Sequence, residues 1–153
     1  MINSHSHFMS LAIEEAKKAQ AVNEVPVGAV LVNSTTGEII SAAHNLCLEK
    51  NDPAAHAEML AIQGAAGKVD LLHTDLTLYV TLEPCPMCAG AIIQCRIDRV
   101  IYGADDPKAG ACGSVVNILQ NKSLDFQPEA IAGVCEEECR ELLSGFFKEL
   151  RNS

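Results

Sequence analysis

One cysteine motif and a distant histidine constrain this chain more than any other feature. Cys85 and Cys88 lie three residues apart in the run Thr81–Gly90, and His56-Ala57-Glu58 lies about thirty residues upstream. Two thiols and an imidazole are the donors of a three-ligand zinc site, and a neighbouring carboxylate can carry its protons. We therefore interpret the rest of the chain as the scaffold of these two segments.

Length and composition indicate one soluble domain. The chain has 153 residues and a mass of 16.3 kDa, the size of an ordinary domain, so we expect residues 1–153 to form one unit. The first residues lack the pattern of a signal peptide, and no apolar run approaches the ~18 residues of a membrane span. We expect a cytoplasmic protein with no membrane partner. The seven cysteines are scattered through apolar segments, which favours reduced thiols over disulfides.

The acidic charge balance bears on the class of partner. A formal net charge of −9 taken alone favours a small-molecule enzyme, because Lys and Arg supply most non-specific affinity for nucleic acid. Many of the acidic residues are clustered in short runs, however, as in Glu136–Glu138 and Glu14-Glu15. Two interpretations stay open: the cations form a basic face, or they are dispersed and solvated. The cations in question are Lys108, Lys122, Lys148 and Arg151.

The hydrophobic pattern predicts an α/β fold. Apolar residues at helical spacing predict a helix over Phe8–Val22, and continuous or alternating apolar runs predict a hairpin of two strands, Val25–Val32 and Glu38–Ala43, joined by a turn at 34–37. The order strand, helix, strand, helix, strand that follows favours parallel pairing with helices on both faces. Its later members are a helix over Ala54–Gly67, a strand over Leu76–Leu82, a helix over Pro86–Cys95 and a strand over Arg99–Gly103.

The last third of the chain completes the predicted sheet. Asp105–Ser114 contains Pro and Gly and follows a strand end, where open α/β sheets bind ligands. We expect one or two helical turns at Val115–Leu119, a weak fifth strand at Glu129–Val134 and a closing helix from about Cys135. The predicted architecture is a three-layer α/β/α sandwich around a mixed sheet of about five strands.

The Cys-x-x-Cys spacing has three interpretations. Because Cys85 and Cys88 open a predicted helix, both sulfurs can point at one place, and the helix N-terminus favours the thiolates that a metal needs. A redox pair is disfavoured because a third ligand, His56, is available. A structural zinc site needs a fourth ligand, and no further cysteine has paired spacing. The further cysteines considered are Cys47, Cys95 and Cys112. With three ligands the fourth position belongs to water, as in catalytic zinc sites.

Glu58 favours the catalytic interpretation. Residues two apart on a regular helix diverge by about 200°, so we expect His56 to lie where its helix just begins, which lets both side chains reach the metal. A carboxylate beside zinc-activated water can accept a proton and deliver it elsewhere. The alternative is that Glu58 is an ordinary surface charge.

These motifs resemble a known family. His56-Ala57-Glu58 with Pro84-Cys85-Pro86-Met87-Cys88 resembles the signature of the zinc-dependent cytidine deaminase superfamily. Within it the chain is similar to the bacterial tRNA adenosine deaminases from about Leu11 to Arg151. The stretches that carry this similarity are Asn23–Val30, Asp52–Glu58, Thr81–Ala91, Tyr102–Gly110 and Cys139–Lys148.

The resemblance implies a cytidine deaminase-like fold and conversion of the wobble adenosine of tRNA to inosine, by a homodimer that cradles the anticodon stem-loop. It implies one zinc ion per subunit on His56, Cys85 and Cys88, with Glu58 as proton shuttle. Asn45 would read the purine, and backbone N–H groups near Ala57 and Cys85 would help to hold the base and the hydroxide. The Asp105–Gly110 loop would contact the nucleotide, chiefly through Asp106 and Lys108.

The chain also departs from the family pattern. Asp125-Phe126 stands where the family usually has Asn-His, and Cys47 occupies a loop position that is usually polar. Two alternatives are kept: a deaminase of a free base or nucleoside, of guanine or cytosine type, and a non-enzymatic zinc-binding module. Deamination of an anticodon stem-loop would separate the first from a tRNA enzyme, and four protein ligands on the metal would indicate the second.

Overall fold

Five strands and four helices organise residues 4–152, the part of the chain that the computed structural model describes. The strands are β1 (Gly28–Asn33), β2 (Ile39–His44), β3 (Leu76–Leu82), β4 (Arg99–Ala104) and β5 (Glu129–Ile131). The helices are α1 (His5–Ala21), α2 (Ala57–Ala65), α3 (Pro86–Gln94) and α4 (Glu136–Asn152), with a short 3₁₀ helix at Leu71–His73. None of the helices in this range has the length and apolar character needed to span a bilayer.

The sheet is mixed, as predicted. Its strand order is β2-β1-β3-β4-β5. β1 pairs antiparallel with both β2 and β3, and its pairing with β2 confirms the predicted hairpin. β4 pairs parallel with β3, and β5 pairs parallel with β4. Because β1 is antiparallel to both neighbours, β2 and β3 run in the same direction, and α2 is the crossover between them.

Helices cover both faces of the sheet, which confirms the three-layer prediction. On one face, α2 and α3 contribute residues such as Ala61 and Ile92 to a core shared with Leu78 and Val80 of β3. On the other face, α1 packs through Met9, and the neighbouring α4 buries Cys139. Successive β3 side chains point to opposite faces, so the strand supplies both cores. Each fully buried aliphatic side chain contributes about 1.5–3 kcal/mol to stability.

A glycine in β1 sets how closely α1 approaches the sheet. A Cβ atom placed at Gly28 would lie 2.0 Å from the carbonyl oxygen of Ala12. Glycine therefore permits the backbone of α1 to lie directly against the strand.

Several boundaries differ from the sequence-based expectation. α1 is His5–Ala21 rather than Phe8–Val22, and β5 ends at Ile131 rather than Val134. α2 begins at Ala57 rather than Ala54, because the N–H of Ala54 donates to Asp52 Oδ1 (2.9 Å) and the N–H of Ala55 donates to the Asp52 carbonyl (3.0 Å), which closes a turn before the helix. β1 begins at Gly28 rather than Val25.

The prediction of helical turns at Val115–Leu119 is wrong. This segment forms turns around a bridge between Cys112 and Asn117. Its N–H groups donate out of helical register: Val115 and Val116 bond to the carbonyl of Gly110, and Ile118 bonds to that of Ala111.

Candidate metal centre and active site

Three side chains from two helix starts converge on one point. Nδ1 of His56 lies 3.5 Å from Sγ of Cys85 and 3.5 Å from Sγ of Cys88. All three donor atoms lie within 4.8 Å of one another. The structure therefore brings together the three residues that were predicted from the sequence as metal ligands.

These spacings fit a zinc ion. With Zn–N of about 2.0 Å and Zn–S of about 2.3 Å, the N···S edge of a tetrahedral site is roughly 3.5 Å. Within residues 4–152, the donor group consists of His56, Cys85 and Cys88. Cys47, Cys95 and Cys112 lie outside it, so the arrangement favours an open three-ligand site over a closed structural one.

Local backbone conformation aims the ligands. His56 is the N-cap of α2 with extended dihedrals (φ −77°, ψ 152°), and Cys85 is the N-cap of α3 (φ −78°, ψ 174°). The expectation that His56 precedes the first helical turn is confirmed. Pro86 follows as the first residue of α3, a position that its fixed φ favours. The positive ends of both helix dipoles thus face the donor atoms and favour anionic ligands.

The two thiols differ in acidity. A hydrogen bond from Cys88 lowers the pKa of Cys85 to about 4, with a smaller contribution from His56. The same bond raises the pKa of Cys88, and so does burial. The hydrogen bond to Cys85 also raises the pKa of His56. Thiolate ligation of a metal cation requires both thiols to be deprotonated, so metal binding at these donors would release protons.

Glu58 is the second residue of α2 and has 4% of its surface exposed. Burial raises the pKa of its carboxyl to about 7, and interactions with its own backbone N–H, His56 and Cys88 partly oppose this. A carboxyl with a pKa near neutrality can both take up and release a proton. A cation on the neighbouring ligands would favour its charged form. The surface-charge alternative for Glu58 does not fit this burial.

Asn45 is connected to the start of α2. It is 9% exposed, and its Oδ1 accepts the N–H of Ala57 at 2.8 Å. Ala57, itself fully buried, is the first residue of the helix that carries Glu58. The Ala57 N–H expected to hold substrate therefore already has an acceptor. With Oδ1 used in this way, Nδ2 is the donor that Asn45 can offer to a ligand.

The loop after β4 packs against the metal-ligand segment. The N–H of Ala111 donates to the carbonyl of Pro84 at 2.8 Å. Oδ1 of Asp106 accepts the N–H groups of Lys108 (3.0 Å) and Ala109 (3.2 Å), so Asp106 shapes the loop while the Lys108 side chain is exposed. The structure thus holds this loop beside the ligands, although neither of these two side chains contacts the donor atoms themselves.

Two buried carboxylates were missed in the sequence, and one of them, Glu83, lies two residues before the ligand Cys85. Glu83 and Glu24 are each 2% exposed. Burial alone would raise the pKa of Glu83, but hydrogen bonds from Ser114, Asp106 and Cys112 hold it below the ordinary value. Glu24 accepts the N–H groups of Leu48 and Glu49. A glutamate immediately after a buried strand, as at Glu83, was the available signal.

The residues that replace the usual Asn-His pair have a common partner. Nη2 of Arg96 lies 3.0 Å from Oδ2 of Asp125, and the guanidinium lies 5.3 Å from the ring centroid of Phe126. This pair therefore anchors the segment before β5 to the end of α3.

Comparison with known proteins decides the family. Residues 2–104 match the model described as the cytidine and deoxycytidylate deaminase zinc-binding region. A curated tRNA-specific adenosine deaminase of Bacillus subtilis (strain 168) is 51% identical over 145 residues, which cover 94% of this chain and 89% of the relative. The chain belongs to the tRNA-specific adenosine deaminases of the cytidine deaminase family.

Solved structures agree with this placement. A structure from work on A-to-I editing by tRNA:A34 deaminases at the wobble position superimposes with a TM-score of 0.82 at 44% identity, covering 90% of this chain and 99% of that one. A guanine deaminase from Nitrosomonas europaea has a TM-score of 0.83 at 21% identity, covering 95% and 86%. At that identity the second likeness shows the fold alone.

Proposed function

We propose that this protein hydrolyses the wobble adenosine of tRNA anticodons to inosine, with release of ammonia. The observation that carries the chemistry is the three-donor cluster with a buried carboxyl beside it. The substrate is supported by similarity over 94% of the chain to a protein named as a tRNA-specific adenosine deaminase. The guanine deaminase likeness is restricted to fold, so it does not favour a free base as substrate.

His56, Cys85 and Cys88 hold one zinc ion per subunit. When zinc is bound there, it lowers the pKa of water and so supplies a nucleophile for C6 of adenine at neutral pH. Glu58 accepts the proton that the water loses and delivers it to the ring nitrogen beside C6, N1. It then takes the remaining proton from the hydroxyl added at C6 and gives it to the amino group. The C6–N bond breaks, ammonia leaves, and the added oxygen remains as the C6 carbonyl of inosine.

Asn45 orients the purine through Nδ2, because its Oδ1 is held by the Ala57 N–H. Ala57 takes part by fixing Asn45 in this orientation rather than by donating to the base. Asp106 shapes the loop after β4, and the exposed Lys108 on that loop contacts the nucleotide backbone. These polar groups distinguish the target nucleotide, whereas the zinc chemistry alone would not distinguish between bases that carry an exocyclic amino group.

The enzyme acts as a homodimer on the anticodon stem-loop. Large apolar side chains are exposed on segments that border the ligands, and such surfaces mark protein interfaces. They are Leu48, Met87, Val115 and Val116. Dimerisation would cover these side chains next to each site.

Inosine mapping in tRNA tests the proposal. Purified protein, checked for one zinc per chain by elemental analysis, is incubated with an anticodon stem-loop carrying a wobble adenosine, and inosine is located by sequencing. The Glu58→Gln variant is the control for background. Ammonia release from free guanine, cytosine or adenosine without inosine in the RNA would overturn the substrate. Four protein ligands on the zinc would overturn the enzymatic role.

A further inference from the structure

Glu83 is a buried charge that the chemistry above does not use. It follows the last residue of β3 and precedes Pro84 and the metal ligand Cys85. A carboxylate that is 2% exposed must be compensated by hydrogen bonds or by an opposite charge. Its partners are therefore informative about what the residue does.

The hydrogen-bond donors to its carboxylate all come from one loop. Oε1 accepts the N–H of Asp106 at 2.9 Å, and Oε2 accepts the N–H groups of Cys112 at 2.9 Å and Ser114 at 3.1 Å. The Ser114 hydroxyl also donates to Oε1. These donors come from both ends of the segment 105–114, so one side chain on the strand ties the two ends of the loop together.

The loop is shaped to fit the carboxylate. A Cβ atom at Gly110 would lie 2.4 Å from the Glu83 carboxyl carbon, which is closer than real contacts allow. The chain at Gly110 therefore runs directly over the carboxylate. The adjacent Ala111 N–H donates to the Pro84 carbonyl, so the loop is fixed to the segment that carries Cys85.

The hydrogen bonds that begin at Glu83 extend through Asp106 to residues 108 and 109 of the loop. Asp106, whose N–H is held by Glu83, uses Oδ1 to bind the N–H groups of Lys108 and Ala109. The position of Lys108 is thus set through Asp106 by a side chain that is itself buried below the surface.

We infer that Glu83 is a positioning residue for substrate selection, which holds the Asp105–Ser114 loop in register with the metal-ligand segment without contacting substrate. The inference rests on the proposed function, because the loop is taken to meet the nucleotide. It predicts that loosening the loop weakens substrate binding while the chemistry at the metal persists. If the ordered loop falls to about a tenth of the population, KM rises about tenfold.

Glu83→Gln tests this inference, because an amide keeps the size but turns one acceptor into a donor that faces N–H groups. We expect KM for the anticodon stem-loop to rise about tenfold, with kcat within about threefold of wild type and unchanged zinc content. Amide hydrogen exchange should accelerate in residues 105–114 and stay constant in α2 and α3. Unchanged exchange in the loop, or loss of kcat and zinc with KM constant, would overturn the inference.

Gly110→Ala approaches the same contact from the loop and keeps the buried charge. It should reproduce the rise in KM and the faster amide hydrogen exchange in residues 105–114. If Glu83→Gln does not fold, Gly110→Ala alone tests whether the contact between Glu83 and the loop sets KM. Gly67→Ala is the matched control, since a Cβ atom there meets nothing within 4 Å. A Gly110→Ala protein that matches this control would contradict the inference. Absence of inosine with wild-type protein would instead remove the proposed function, while hydrogen exchange would still show whether Glu83 orders the loop.

Discussion

The two hydrogen-bonding groups of Asn45 can be tested separately. Asn45→Ala removes the acceptor of the fully buried Ala57 N–H. Leaving such a group unpaired costs about 1–3 kcal/mol. Taking ~2 kcal/mol, and a shift of about 2–4 °C per kcal/mol for a domain of this size, the melting temperature should fall by about 4–8 °C. Asn45→Asp keeps an acceptor for this N–H, and Asp caps helix N-termini about as well as Asn, so its melting temperature should fall less than that of Asn45→Ala.

Deamination activity tests the second group, the Nδ2 donor. Asn45→Asp lacks the Nδ2 donor and places an acceptor against the acceptor nitrogens of the purine, so kcat/KM should fall at least about tenfold although the Ala57 N–H keeps its acceptor. Thermal unfolding followed by circular dichroism and single-turnover deamination of an anticodon stem-loop make the comparison. An Asn45→Asp protein as active as wild type would refute the assignment of Nδ2 to base recognition. An Asn45→Ala protein as stable as wild type would refute the structural role of Oδ1.

Three further predictions concern the metal centre and α1. Glu58→Gln should fold and retain zinc but lose deamination, as measured by inosine formation and elemental analysis, and substantial turnover would show that another group moves the proton. Cys88→Ser should lower zinc content and melting temperature together, because thiolate ligation is coupled to folding, and full zinc occupancy would contradict its assignment as a ligand. Burial raises the pKa of Glu15, but hydrogen bonds from His44 and Lys18 outweigh it and hold the pKa below the ordinary value of 4.5. The resulting stabilisation is present above pH 4.5 and is lost as pH falls through the folded-state pKa. The difference in urea midpoint between wild type and Glu15→Gln should therefore shrink below that pH, and a constant difference would contradict the pairing.

The parts of the fold that follow local patterns could be predicted from the sequence. The β1-β2 hairpin, the crossover helix and the mixed five-strand sheet follow from hydrophobic periodicity and chain order. The position of His56 follows from helix geometry, because two side chains two residues apart can reach one point only if one of them precedes the helix.

The remaining features depend on contacts between distant residues. Val115–Leu119 has apolar spacing suited to a helix, but Glu83 takes the N–H groups of Cys112 and Ser114, and the following N–H groups turn back to Gly110 and Ala111. Local propensity contains no information about such a partner. The hydrogen bond from the Ala57 N–H to Asn45 joins residues 12 positions apart. Local sequence patterns could not predict it for the same reason.

The hydrogen bonds around Glu83 have a consequence for how this enzyme can change. Three of its four donors are main-chain N–H groups, which every residue except proline possesses. The loop's shape is therefore encoded mainly in the strand that precedes the cysteines, and its outermost side chains at 107–109 do not maintain it. Under the proposed function, exchange of those three side chains would change the surface that meets the nucleotide, while the backbone path of the loop stays the same.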